Sequence, residues 1–246
     1  MKGFIMEKKI SYETLDYYAY SNDKQINGKI KGVVIEFFGL GCQAMYHQGT
    51  DFGRFMAEND VLYVIPYTNP WGWMNRDEVR LADEVLDVLY EKYNLPANIP
   101  LVSIGGSMGG LACIVYTKYA SRTPIGCVAS CPVCDLPFHY TERVDLPRTL
   151  YSAFYNYDCS MDEALKSCSP LHLAPSLPEK TEYTVFHCDK DSAVNIDMHS
   201  ERFVKELSKY RDVDYYVVPD RDHCDLGEEN NKKYREITLN YILKNA

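Results

Sequence analysis

The chain has 246 residues, of which 46% are hydrophobic and 25% charged, and its formal net charge is −9. This composition is ordinary for a soluble globular protein, and no apolar run approaches the ~18 residues that a membrane-spanning helix needs. Because the charge is negative and the basic residues are dispersed, neither a nucleic acid nor a membrane is an expected partner.

Length and cysteine content set further expectations. A chain of this size is long enough to bury one sizeable core, so a single domain over residues 1–246 is predicted. The first ten residues lack the apolar centre and cleavage site of a secretory signal, which predicts a cytoplasmic protein. In that compartment the nine cysteines are expected to stay reduced.

The first predicted elements in chain order are an edge strand and a central strand. Tyrosines alternating with other residues over 8–20 predict an edge strand or a hairpin. The apolar run 32–38 is typical of a strand buried on both faces of a parallel sheet. Gly39-Leu40-Gly41 follows it, where the amide of Leu40, or of Gly41 as second choice, could donate to a ligand. A plain strand-end turn is the structural alternative.

A helix over 52–59 and a strand over 61–65 continue the alternation of strands and helices. The next loop holds an aromatic group, namely Tyr67, Trp71 and Trp73, which includes both tryptophans of the chain. Two interpretations stay open for these side chains: a substrate-binding wall, or packing beneath a long loop.

The strongest catalytic signal lies between residues 99 and 119. An apolar strand (99–104) runs into Gly-Gly-Ser-Met-Gly-Gly and then into an apolar helix (111–119). This strand, turn and helix are the context of a nucleophile elbow, in which Ser107 would be the nucleophile. The amide of Met108 would lie at a helix N-terminus, where unpaired N–H groups favour the negative charge of an oxyanion.

The second half of the chain predicts an insertion and the rest of the sheet. Residues 125–130 form a buried-strand run, and residues 131–180 are rich in proline and tyrosine with only short helical patches. This stretch is predicted to be a cap inserted after the sixth strand, since loops of such length are usually functional. The remaining predicted elements are a strand at 182–187, a helix at 196–209, a strand at 213–218 and a helix at 228–243.

A serine nucleophile needs a base and an acid that orients the base. His223, in the loop before the last helix, is the preferred base, and His187 is its main rival. For the other histidines a surface or packing role is expected. Asp191 is the preferred acid, with Asp189 and Asp135 as alternatives.

Three motifs in this order resemble one family. The elbow Gly-Gly-Ser-Met-Gly-Gly, the spacing His187-x-x-x-Asp191-x-x-Val194 and the pair Asp222-His223 are similar to those of the prolyl oligopeptidase and dienelactone-hydrolase-like branch of the α/β-hydrolases. The resemblance implies an α/β-hydrolase fold, with a mostly parallel central sheet and helices on both faces, and the catalytic set Ser107, Asp191 and His223. It departs from the family at Cys188, where glycine is usual, and at Phe38, where many relatives have histidine.

Two cysteine patterns suggest other chemistry. Cys131-Pro-Val-Cys134 is a C-x-x-C pair, but no second pair follows at zinc-site spacing, which favours ordinary buried thiols. A metal site of His187, Cys188, His223 and Cys224 is conceivable, but their position beside the predicted catalytic residues explains them more simply. Neither a metal nor another cofactor is therefore expected.

The expected activity is that of a serine esterase. Such an enzyme would cleave a small carboxylic ester through an acyl-enzyme, and an acetyl or hydroxycinnamoyl ester of a carbohydrate suits the aromatic loop. Peptidases of the resembling family generally carry an additional propeller domain, and only a short segment precedes the first central strand here. A serine peptidase and a non-catalytic binding protein remain the alternatives.

Overall fold

The structure is a computed structural model that describes residues 10–42 and 49–246. In these ranges seven strands form one sheet in the order β1-β3-β2-β4-β5-β6-β7. β1 runs antiparallel to β3 and the other neighbours are parallel. The strands are β1 (Ala19–Ser21), β2 (Gly32–Phe37), β3 (Val61–Pro66), β4 (Leu101–Gly106), β5 (Gly126–Ser130), β6 (Glu182–Cys188) and β7 (Val213–Val218).

Helices cover both faces of the sheet, as the α/β-hydrolase prediction requires. Side chains of β2 alternate between two buried clusters, with Val33 and Ile35 in one and Val34 in the other. The α-helices of the described residues are α1 (Asp51–Glu58), α2 (Arg76–Tyr93), α3 (Met108–Tyr119), α4 (Leu136–Glu142), α5 (Leu146–Phe154), α6 (Met161–Ser167), α7 (Pro170–Leu173), α8 (Ser200–Leu207) and α9 (Gly227–Leu243). No helix in the described ranges has the length and apolarity needed to cross a bilayer.

The N-terminal segment differs from its prediction. Residues 8 and 9 of the segment predicted as an edge strand or a hairpin lie outside the described residues. Six of its residues form a 3₁₀ helix, Tyr12–Tyr17, and only β1 joins the sheet, as its edge strand. Ser11 explains the difference, because its amide donates to Thr14 Oγ1 at 3.0 Å and its carbonyl accepts from the Thr14 amide at 3.1 Å. Without a hairpin the sheet has one strand fewer at this end, so the insertion follows the fifth described strand rather than the sixth.

The insertion between β5 and β6 is more helical than its prolines suggested. It holds four short helices, α4 to α7. Three prolines lie in the first turns of α4, α5 and α7, namely Pro137, Pro147 and Pro170. Proline has no backbone N–H, but the N–H groups of a first turn have no partner within the helix, so a proline is tolerated there. Leu146 and Leu150 of α5 are fully buried in the main core. The insertion is therefore packed onto the sheet layer.

Candidate active site

Ser107 lies on a sharp turn between β4 and α3. Its φ of +59° is one that residues other than glycine rarely adopt. Two flanking glycines make the turn possible: a Cβ on Gly105 would collide with the carbonyl of Gly109, and a Cβ on Gly109 would collide with the carbonyl of Phe37. The Ser107 amide donates to Ser130 O at 2.9 Å and holds the turn against β5. The predicted elbow geometry is thus present.

Asp191 and His223 meet at the carboxyl ends of β6 and β7. His223 Nδ1 lies 2.7 Å from Asp191 Oδ2. The other carboxylate oxygen, Oδ1, accepts from the amides of Ala193 at 2.9 Å and Val194 at 2.7 Å. Because the carboxylate is fixed by its own loop, it holds the imidazole with the proton on Nδ1 and leaves the Nε2 lone pair available.

His187, the rival base, lies behind this pair. It is fully buried at the end of β6, and its Nε2 lies 3.0 Å from Val194 O and 3.2 Å from Asp191 Oδ2. It is not on the wall of the cavity described below. His187 therefore supports Asp191 from inside the protein and does not face a substrate.

The charges of Asp191 and His223 depend on the balance between burial and hydrogen bonding. Burial disfavours the Asp191 carboxylate, but the hydrogen bonds from His187 and His223 outweigh burial and hold the pKa of this carboxyl well below its usual range. Burial would likewise lower the pKa of His223, yet the hydrogen bond to Asp191 raises it above the ordinary histidine value. An ionised carboxylate beside a strengthened base is the arrangement of general-base catalysis.

Ser107 and His223 lie on the wall of one cavity of about 650 Å³. Its size is that of small-molecule sites in general. The Ser107 hydroxyl makes no hydrogen bond to another described residue. Leu40, Met108 and Cys224 also lie on the wall, and the remaining lining residues include Phe37, Phe38, Trp73, Val133, His139, Arg143 and Tyr234.

The two amides predicted to bind an oxyanion flank Ser107. Met108 is the first residue of α3, so its N–H has no partner within the helix. In the loop after β2, the amide of Gly41 donates to Pro70 O at 2.9 Å and that of Cys42 to Gly39 O at 3.2 Å. The amide of Leu40 makes no such bond within the described residues. The structure thus leaves Leu40 and not Gly41 with a free donor.

The three aromatic residues predicted as a substrate wall separate in the structure. Trp73 is fully buried, lies on the cavity wall and donates from Nε1 to Thr149 Oγ1 at 3.1 Å. Trp71 is 40% exposed, and neither it nor the half-buried Tyr67 is on that wall. A tight turn, in which the Gly72 amide donates to Asn69 O at 2.9 Å, directs the two tryptophans apart.

The alternative acids serve other contacts. Asp135 caps α4 by accepting from the Phe138 amide at 3.1 Å, and its Oδ2 accepts from Arg202 at 2.6 Å. Asp189 Oδ1 accepts from the Asp220 amide at 2.7 Å. The only carboxylate within hydrogen-bond distance of the His223 ring, among the described residues, is that of Asp191.

A second histidine–carboxylate group, absent from the sequence-based prediction, reaches the cavity from the insertion. Glu142 Oε2 lies 2.6 Å from His139 Nδ1 and 3.1 Å from His199 Nε2. His199 Nδ1 accepts from the amides of Cys134 at 3.1 Å and Asp135 at 3.2 Å, so its ring proton is on Nε2 and that atom donates to Glu142. A metal needs an unprotonated ligand nitrogen, and this group therefore orients His139 instead.

His139 lies on the cavity wall and is nearly fully buried. Burial lowers the pKa of His139 by more than its hydrogen bond to Glu142 raises it. Burial opposes ionisation of Glu142, but the hydrogen bonds from His139 and His199 prevail and lower the pKa of its carboxyl to about 2. The sequence signal was faint: a histidine and a glutamate three residues apart on a short helix.

The nine cysteines are all described and all are free thiols. Cys131 and Cys134 of the C-x-x-C pair are fully buried. Cys134 Sγ donates to Pro132 O at 3.4 Å. This pair is consistent with ordinary buried thiols, whereas Cys131 and Cys224 lie beside the candidate site.

Comparison with known proteins bears on the family and on the fold. Residues 83–246 match the profile of the prolyl oligopeptidase family. No curated protein matches the chain. The fold is similar to that of an acylaminoacyl peptidase in complex with a chloromethyl ketone, with a TM-score of 0.67 and 14% identity over 87% of this chain. The chain spans only 37% of that peptidase.

Two solved structures of comparable length also resemble the chain. One is a truncated carbohydrate esterase from gut microbiota, with a TM-score of 0.67 and 12% identity over 88% of this chain and 87% of that one. The other is esterase 2 of Thermogutta terrifontis, with a TM-score of 0.65 and 15% identity over 92% of this chain and 88% of that one. At these identities the likeness concerns the fold.

Proposed function

The chain belongs to the prolyl oligopeptidase family of serine hydrolases, and on that premise we propose that it cleaves a small carboxylic ester through an acyl-enzyme. Ser107 is the nucleophile, His223 the general base and Asp191 the acid that orients the base. The observation that carries this proposal is the 2.7 Å contact between His223 Nδ1 and Asp191 Oδ2 at the cavity that Ser107 also lines.

The proposed reaction begins with proton transfer. His223 Nε2 takes the proton of the Ser107 hydroxyl while Oγ bonds to the ester carbonyl carbon, whose π electrons move to the oxygen. The tetrahedral intermediate collapses, and the alcohol leaves with the proton that His223 returns. Water, deprotonated by the same imidazole, then releases the acid and restores Ser107.

The amides of Met108 and Leu40 are the proposed oxyanion donors. Both residues lie on the cavity wall beside Ser107. A donor of this kind typically contributes on the order of 10²- to 10³-fold in kcat, because it is already aligned where negative charge develops. Phe38 cannot supply a charged or polar side chain in place of the histidine of many relatives, so the backbone carries this role here.

The lining of the cavity supports an acetyl or hydroxycinnamoyl ester of a carbohydrate as the substrate. Phe37, Phe38 and Trp73 provide an aromatic side of the cavity, and His139 adds a polar group within it. Aromatic faces suit both a phenolic ring and a sugar. Of the aromatic residues proposed from the sequence, Trp73 supports this assignment most directly, while Trp71 and Tyr67 would contact only a substrate that extends beyond the cavity.

A serine peptidase is the second candidate. The family profile and the acylaminoacyl peptidase among the similar structures favour it. The same three residues would act on an amide, so the distinction depends on the leaving group and on how the cavity accepts it.

A short substrate panel tests the proposal. p-Nitrophenyl acetate and butyrate, a methyl feruloyl ester, an acetylated xylo-oligosaccharide and a prolyl anilide are offered to the wild type and to Ser107→Ala. We expect ester turnover that the substitution reduces by at least 10³-fold. Ser192→Ala is a matched control, since Ser192 lies in the acid loop but not on the cavity wall. Ester turnover retained in Ser107→Ala would refute the assignment, and turnover of the anilide alone would establish the peptidase.

A further inference from the structure

Two thiols and an imidazole converge beside the proposed nucleophile. One ligand atom each of Cys131, His223 and Cys224 lie within 4.8 Å of one another. Cys224 Sγ is 3.7 Å from His223 Nε2. In a tetrahedral zinc site, with Zn–S near 2.3 Å and Zn–N near 2.0 Å, neighbouring sulfur and nitrogen ligands are about 3.6 Å apart. The spacing of this pair is already that of two zinc ligands.

Backbone conformation brings these side chains together. Consecutive residues of an extended chain point to opposite sides, yet His223 and Cys224 approach one another. Cys224 has a φ of +58°, which turns its side chain towards that of His223. Cys131 has a φ of +44°, and its Sγ accepts from the Cys224 amide at 3.3 Å. The loops after β5 and β7 are thus joined at the sulfur of Cys131.

The imidazole is oriented as a metal ligand. His223 Nδ1 is held by Asp191 at 2.7 Å, which leaves Nε2 unprotonated and on the side of Cys224. A carboxylate behind a ligating histidine is the usual support of a zinc-bound imidazole. Cys224 is exposed and lies on the cavity wall, so a cation in the cavity reaches these atoms directly.

A second cluster of potential metal ligands next to this one is less suited to a cation. Cys131, His187 and Asp191 also have ligand atoms within 4.8 Å of one another. His187, however, is fully buried, and its Nε2 donates to the carbonyl of Val194 at 3.0 Å, so this nitrogen carries the ring proton and is not available to a cation. Asp191 already accepts from two backbone amides and from His223. A cation is therefore favoured on the cavity side of Cys131.

We propose that Cys131, His223 and Cys224 form an inhibitory site for a thiophilic divalent cation such as Zn²⁺. Binding forms two metal–sulfur bonds and one metal–nitrogen bond, releases the two thiol protons to solvent and changes no oxidation state. The fourth position faces the cavity. Because the metal occupies the Nε2 lone pair, His223 can no longer take the proton of Ser107. The inhibition rests on the proposed function, whereas the binding does not.

Cobalt(II) tests the binding without any substrate. Reduced Ser107→Ala protein is titrated with Co²⁺, and thiolate-to-cobalt charge transfer and tetrahedral d–d bands are followed by absorption. We expect the bands to saturate at one equivalent, to be displaced by Zn²⁺ and to be lost in the double variant Ser107→Ala/Cys224→Ser. Ser107→Ala/Cys159→Ser is the matched control, since Cys159 is another exposed thiol. Circular dichroism verifies that each variant is folded.

Inhibition is measured separately on the ester that the substrate panel identifies. We expect Zn²⁺ to inhibit the wild type reversibly, with recovery after a chelator, and the inhibition constant to rise at least tenfold in Cys224→Ser but not in Cys159→Ser. The absence of thiolate bands, or bands of equal strength in the Cys224 variant, would overturn the metal site. Thiolate bands in Ser107→Ala, together with a wild type that hydrolyses none of the substrates in the panel, would instead confirm the metal site and refute the proposed function.

Discussion

Two carboxylates of this protein are each held between two histidines, and the two groups differ in what they can do. Asp191 lies between His223 and the buried His187, and Glu142 lies between His139 and the buried His199. In both groups one histidine lies on the cavity wall. Yet the pKa of His223 is raised and that of His139 is lowered.

Both histidines form a similar hydrogen bond to a carboxylate, so the difference between their pKa values arises from burial. The side chain of His139 is only 3% exposed, whereas that of His223 is 24% exposed. Burial penalises the charged imidazole, and at His139 this penalty exceeds the gain from Glu142. Similar residues therefore raise the pKa of the imidazole at one side of the cavity and lower it at the other.

The largest expected effect is on kcat, and it distinguishes the two carboxylates. Asp191→Asn would remove the acceptor that holds the His223 tautomer, and we expect kcat to fall by about 10⁴-fold. Glu142→Gln keeps an acceptor oxygen for His139, and its kcat should stay within about tenfold of the wild type. Steady-state kinetics on the best ester measures both. Similar losses in the two variants would show that the two groups do not have distinct roles.

The pH profile should show the raised base. As the proposed base, His223 must be unprotonated to accept the serine proton, and the hydrogen bond to Asp191 raises its pKa above the ordinary histidine value of 6.5. We expect kcat/KM to fall as the pH decreases through an inflection above 6.5, and Asp191→Asn to move that inflection to lower pH. In Glu142→Gln the inflection should stay where it is in the wild type. An inflection that moves in Glu142→Gln would mean that the groups are coupled.

His139 should affect the preference between substrates more than the rate of the chemical step. His139→Phe keeps an aromatic ring and removes the polar nitrogens, so we expect kcat/KM for a hydroxylated aromatic ester to fall by about fivefold, which is the effect of one hydrogen bond of about 1 kcal/mol. The ester without the hydroxyl should lose less. Equal losses on the two esters would indicate that His139 acts only through packing.

The smallest expected effect is on acid stability. The pKa of Glu142 is lowered from 4.5 to about 2 in the folded protein, so its contribution to stability is complete above pH 4.5 and is lost as the pH falls towards 2. Thermal unfolding should therefore show a shallower fall of Tm over this range in Glu142→Gln. The exposed Glu179 provides the control variant Glu179→Gln, whose profile should match the wild type.

Local patterns predicted much of the fold. The buried runs at β2 to β5 are continuous apolar segments, and each was found within one or two residues of its prediction. The Gly-rich turn around Ser107 was also predicted from its local sequence. The turn itself brings backbone segments close together, and only glycine fits at these positions. Of the two N-terminal alternatives, the edge strand is present as β1, and the hairpin is wrong because Ser11 and Thr14 favour a 3₁₀ turn over strand pairing.

The sequence by itself determined the family, the order of the strands and helices along the chain outside the N-terminal segment and the insertion, and the serine, aspartate and histidine proposed for catalysis, because each is marked by a pattern within a few neighbouring residues. Only the tertiary structure decided the rest. It separated Trp73 from Trp71 at one tight turn, brought Glu142 to His199 across 57 positions and placed Cys131 against Cys224 across 93. Contacts over such separations depend on how whole elements pack, and no local periodicity records them.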